Sequence, residues 1–93
     1  MKFEWDPQKA AENLSEHGVS FREAATVLGD PLGGTVSDPD HSSAEDRYIT
    51  VGSSNRSRLL MVAHTERGDR IRIISARELT RAERKAYEEE TQK

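Results

Sequence analysis

The chain has 93 residues, 33% of them apolar and 33% charged, with a formal charge of −3 and no cysteine. A chain this short builds one modest core, so a single domain over residues 1 to 93 is expected, with its apolar residues in a few patterned segments. The missing cysteines exclude a disulfide framework and a thiolate zinc site, and no apolar run is long enough for a signal peptide or membrane span, which points to a cytoplasmic protein.

Phe3, Glu4 and Trp5 read as a short strand. Asp6-Pro7 then starts a helix, because the aspartate can accept from open first-turn amides and proline already has a helical φ. Ala10, Ala11 and Leu14 recur at helical spacing and Gly18 offers a left-handed stop, so the first helix covers about residues 7 to 16. Ser20 and Glu23 fit a capping box for a second helix, which carries Phe21, Ala24, Ala25, Val27 and Leu28 and ends near Gly29-Asp30-Pro31. Trp5 and Phe21 are core anchors.

Gly33-Gly34 opens an edge strand through Thr35, Val36 and Ser37, and residues 38 to 46 form a polar, acidic loop. Residues 47 to 52 alternate as a strand, with Ile49 and Val51 on one face and Tyr48 and Thr50 on the other. Leu59 to His64 is apolar on both faces, as in the middle of a covered sheet. Glu66-Arg67-Gly68-Asp69 supplies a turn into another strand over residues 70 to 77. Thr80 and Glu83 repeat the capping box and start a last helix that runs to about Glu90. The fold class is therefore α+β: two N-terminal helices, an antiparallel sheet of three to four strands plus the short N-terminal strand, and a C-terminal helix.

Charge is unevenly spread. Residues 1 to 55 hold four bases against ten acids, a balance of −6, whereas residues 56 to 87 hold nine bases against four acids, a balance of +5. Eight of those nine bases are arginine, whose planar fork grips phosphate oxygens in pairs. An RNA-handling surface over Arg56 to Tyr87 is the reading this supports.

Metal-free RNA cleavage needs a group that takes the 2′-hydroxyl proton, one that protonates the leaving oxygen, and cations on the crowded phosphate. His64 suits either proton task, and it shares a sheet face with Arg72 if the hairpin pairs them in register. Strict alternation puts Arg72 and Arg77 on opposite faces. Arg72 and Arg77 are the candidate phosphate clamp, with Glu66 as a reserve base. Arg67, Arg70, Arg81 and Lys9 are candidate RNA-backbone contacts, and Tyr48 and Tyr87 are donors or stacking surfaces. Each has a plainer alternative. A strand histidine is more often structural, strand arginines often form internal ion pairs, and His17 before Gly18 reads as a cation on the helix dipole. The acidic group Asp38, Asp40, His41, Glu45 and Asp46 matches no metal-ligand spacing, so neither a metal nor another cofactor is expected.

Two ordered blocks carry a resemblance. Phe3-Glu4-Trp5-Asp6, Lys9, Asn13, Glu16-His17-Gly18-Val19-Ser20-Phe21 and Glu23-Ala24-Ala25 resemble the amino-terminal signature of the BrnT toxins. Arg67 to Arg77, followed by Thr80-Arg81, Glu83-Arg84 and Tyr87, resembles their carboxy-terminal signature. The resemblance implies a RelE-like fold and a type II toxin that cleaves RNA and inhibits translation. It also implies a BrnA-like antitoxin encoded beside it, through which the complex contacts DNA and represses its own promoter. It carries function most directly to Arg72 and Arg77, with Lys9, His17 and Tyr87 as weaker matches. In the family that the chain resembles, tyrosine is common where this chain has His64, a departure that bears on the histidine's role. The alternative is a non-catalytic adaptor whose basic face binds an acidic or DNA-binding partner protein.

Overall fold

The computed structural model describes residues 2–38 and 46–91. Its elements are β1 (Lys2–Glu4), α1 (Pro7–His17), α2 (Phe21–Val27), β2 (Gly34–Ser37), β3 (Arg47–Ser53), β4 (Leu59–Arg67), β5 (Arg70–Glu78) and α3 (Arg81–Thr91). The strands form one sheet in the order β1-β5-β4-β3-β2. Strands β2 to β5 are antiparallel, as tight connections require, while β1 joins the edge parallel to β5. The N-terminal strand is thus a fifth member of a mixed sheet.

Local chemistry explains the ends of the helices. Asp6 accepts from the Gln8 amide at 2.8 Å, and α1 stops at Gly18, whose φ of 68° is left-handed. Ser20 caps α2 by accepting from the Glu23 amide at 3.0 Å, but the reciprocal arm of the expected box is absent. Glu23 instead turns inward, accepts from Ser54 Oγ at 2.7 Å and holds the Arg58 guanidinium, which ties α2 to the β3–β4 turn. Bonding to Arg58 holds this buried carboxyl below its ordinary pKa although burial opposes it. At α3 both arms of the box are present, between Thr80 and Glu83. The hairpin between β4 and β5 is tighter than its sequence implies: only Gly68, at φ 62°, and Asp69 lie between the strands.

The core lies on one sheet face. Val19, Phe21, Ala24 and Val27 pack against Leu60, Val62, Ile73 and Ala76, and Trp5 sets its ring edge against Phe21 at 6.1 Å. Helices α1 and α2 cover this face. Helix α3 reaches the other one, where Glu83 meets Arg77 and Tyr87 donates to the Leu32 carbonyl at 3.0 Å. No helix among the described residues is long and apolar enough to cross a membrane.

Strand β5 does not alternate regularly. Ala63 pairs with Ser75 but His64 pairs with Ile73, so Ile74 is an extra, unpaired residue. The bulge moves every side chain beyond it to the other face. Arg72 lies opposite Thr65 and Arg77 opposite Met61, four residues apart on β4, so the two arginines share a face instead of being split by strict alternation. The same register sends Ala76 into the core.

Beyond its pairing with β1, the outer edge of β5 is met by Asn13 of α1. The Asn13 amide donates to the carbonyls of Ala76 at 2.8 Å and Val19 at 2.9 Å, and its oxygen accepts from the Ala76 amide at 3.1 Å. One buried side chain thereby replaces a strand neighbour. Asn13→Ala leaves buried backbone groups without partners, and it is expected to cost on the order of 2–4 kcal/mol in urea unfolding. A loss below about 1 kcal/mol contradicts this role for Asn13.

Candidate active-site cleft

On the face opposite the core, the sheet floor and the end of α1 enclose an open cleft of about 390 Å³. Its floor is Ile49, Met61 and Ala63; His17, Arg47, Ser75 and Arg77 supply its polar walls, with Asp38 at the rim. His17 arrives because Gly18 ends α1 beside the β5 edge that Asn13 holds. Its side chain is 41% exposed, with Nε2 3.9 Å from a Glu16 carboxylate oxygen. Arg77 arrives because of the bulge. A partly exposed imidazole and a guanidinium therefore face a shared space large enough for a phosphodiester and part of a nucleoside.

Arg77 is held by Glu83 of α3 in a two-point fork, at 2.7 and 3.0 Å, and also donates to the Glu78 carbonyl at 3.1 Å. The fork drops the Glu83 carboxyl to a pKa of about 2, and it raises that of Arg77. Arg72 lies on the same face farther toward β1 and pairs with Glu4 at 3.0 Å. Arg67 and Arg70 follow at the hairpin end, opposite one another and exposed. Arg81 is exposed on the first turn of α3, and Lys9 lines a shallow groove with Asn13 and His17 at the β5 edge.

The remaining candidates stand elsewhere. His64 does not share a face with Arg72, because the register pairs it with Ile73 and places Thr65 opposite Arg72. It is 3% exposed. Its Nε2 lies 2.8 Å from Thr50 Oγ1, its Nδ1 is buried without a partner among the described residues, and burial lowers its pKa. Such a ring stays neutral and is shielded from solvent. Tyr48 stacks on it at 5.9 Å, and the exposed Glu66 follows on the same side. Tyr87 lies in a separate groove with Leu32 and Val36. Asp40, His41 and Glu45 lie outside the described residues, and no group of three metal-ligating side chains occurs among those described.

Residue-by-residue reading of the sequence leaves out the part that His17, Arg47 and Ser75 take in this cleft. For His17 the signal is the Gly18 stop, which fixes where the histidine emerges; the amino-terminal signature also contains it. Nothing local marks the bulge that brings Arg77 to the same space.

The paired fork has a pH signature. The folded-state pKa of Glu83 is depressed from 4.5 to about 2, so its contribution is complete above about 4.5 and is lost as pH falls toward 2. Hydrogen-exchange protection of α3 relative to β4 should therefore fall across that window. Equal relative protection at pH 6 and near 2 contradicts the fork as the anchor of α3.

Over residues 5–83 the chain matches the family model described as the ribonuclease toxin BrnT of type II toxin-antitoxin systems. Its fold is similar to the crystal structure of the Brucella abortus ribonuclease toxin BrnT, with a TM-score of 0.64 and 24% identity over 87% of this chain and 99% of that one. Among curated proteins none matches significantly.

Proposed function

Because this chain belongs to the BrnT family of type II toxin-antitoxin ribonuclease toxins, we propose that it is a metal-independent endoribonuclease whose site is the cleft between His17 and Arg77. The observation that carries this reading is the convergence of α1, β3 and β5 on one cleft, bringing an accessible imidazole beside two arginines. His17 is the proton-transfer group. Its accessible imidazole can take the 2′-hydroxyl proton as the 2′ oxygen bonds to phosphorus, or return a proton to the departing 5′ oxygen. Arg77, assisted by Arg47, stabilises the charge on the phosphate oxygens.

Glu83 orients the Arg77 fork before RNA arrives, and phosphate oxygens then replace its carboxylate. Arg72, Arg67, Arg70, Arg81 and Lys9 form the wider electrostatic track for the RNA backbone, a term that weakens with salt. His64, Glu66 and Tyr48 lie on the helix-covered side of the sheet, which favours a structural role for the buried histidine. In the cell the domain acts on cytoplasmic RNA and inhibits translation. A BrnA-like antitoxin neutralises it, and the complex represses its own promoter.

Incubation of purified protein with RNA in EDTA tests the reading. Wild type should cut, and His17→Ala and Arg77→Ala should each slow cutting by about 100-fold or more, whereas His64→Gln should keep its activity per folded molecule. Intact RNA with wild type, or undiminished cutting by the double variant His17→Ala, Arg77→Ala, would falsify it.

One observation favours a second reading. Arg58, Arg72 and Arg77 are already paired with Glu23, Glu4 and Glu83, as in a non-catalytic adaptor that uses only its exposed bases to bind a partner. Salt-sensitive RNA binding without cleavage, together with normal growth on induction, supports the adaptor.

A further inference from the structure

A second concave surface adjoins the cleft across Ile49. Strand β2 ends the sheet, and all four of its residues are exposed. Edge strands in soluble proteins are usually blunted by lysine, proline or a bulge, and Gly34-Thr35-Val36-Ser37 has none of these. Beside this edge Leu32 is 79% and Val36 63% exposed, the two most exposed large apolar side chains among the described residues. With Val51 and Tyr87 they line a groove of about 310 Å³ between the sheet and α3.

The groove carries a charge sign. Glu90 lines it, and Asp30 lies close enough to Tyr87 that its charge adds to burial in raising the pKa of the hydroxyl. A negative rim repels a nucleic-acid backbone. It also disfavours a second copy paired edge to edge about a twofold axis, which would bring like acidic rims together.

We infer that the β2 edge and its apolar groove are the docking site for an extended segment of the protein antitoxin. That segment pairs its backbone with β2, inserts alternate aliphatic side chains beside Leu32 and Val36, and sets a lysine or arginine against Glu90. The inference rests on the reading of the chain as a type II toxin with a protein antitoxin. Ile49 lines both the groove and the cleft, and α3 carries both Tyr87 and Glu83. A partner seated here therefore touches the helix that holds Arg77.

The test uses the full chain and the purified product of the reading frame beside it as probe. Affinity is measured by calorimetry for wild type, Val36→Arg, Leu32→Arg and Glu90→Arg, alongside RNA cleavage by each toxin alone. Because these side chains are exposed, circular dichroism should show the wild-type fold. Val36→Arg and Leu32→Arg should each weaken binding by roughly tenfold or more, as for residues central to a buried patch, and Glu90→Arg should weaken it with a shallower salt dependence than wild type. Cleavage by the free variants should be unchanged. Binding within about twofold of wild type for Val36→Arg, or no binding by wild type, overturns the inference. So does a wild-type dimer in light scattering that Val36→Arg dissociates, since the occupant is then a second copy. Wild type that leaves RNA intact while Val36→Arg still loses the partner removes the ribonuclease reading and leaves the docking site standing.

Discussion

Strand β5 carries one residue more than β4 can pair, and the bulge at Ile74 determines which side chains meet in this molecule. Without it, Arg77 would point into the helix-covered core, where an unpaired guanidinium is strongly unfavourable, and Ala76 would leave the packing it makes with Val62. A bulge also disrupts the local ladder, so the strand beyond it needs support. Asn13 provides it by bonding both backbone groups of Ala76. Since Asn13 sits one turn before the end of α1, the clamp that secures the strand also fixes His17 beside it. The geometry of the cleft thus follows from a single register irregularity and the side chain that stabilises its far end.

Electrostatics divides the same surface. Three arginines of the basic segment are spent on internal acids: Arg58 fastens α2 to the β3–β4 turn, Arg72 joins β5 to β1, and Arg77 holds α3. These pairs place arginines more than they project positive potential, because each is matched by a nearby carboxylate. The Arg77 fork is the most open of the three, with side-chain exposures of 38% and 33% for Arg77 and Glu83. An incoming phosphate can compete there as it cannot at the Arg58 pair, where Glu23 is 4% exposed.

Much of the architecture was legible in the sequence. Asp6, Pro7 and Gly18 mark α1, Ser20 marks the start of α2, and Thr80 with Glu83 marks α3, because capping chemistry is local. The alternation in β3 and the apolar run in β4 likewise announce strands. The relation of Arg72 to Arg77 was not legible, because it depends on a bulge that no residue preference signals, and a shift of one position reverses every face. His64 was misplaced by the turn: with only Gly68 and Asp69 between the strands, Thr65 faces Arg72 and His64 faces Ile73, so His64 and Arg72 lie on opposite sides of the sheet. The partner of Glu23 was hidden too, since the capping-box pattern describes neighbours in sequence while Arg58 is a neighbour only in space. Where the site lies is thus a tertiary property, and the amino-terminal signature reaches it only through His17.

The most direct test of the cleft as the RNA site is nuclear magnetic resonance of the isotopically labelled protein titrated with a short RNA whose 2′-hydroxyls are methylated, so that it binds but is not cut. The account predicts shift changes at His17, Ser75 and Arg77 together with loss of the Arg77–Glu83 contact, while His64 and Tyr48 stay unperturbed. Changes centred on Tyr48 and His64, or confined to the hairpin around Arg67 and Arg70 with the cleft silent, would contradict it.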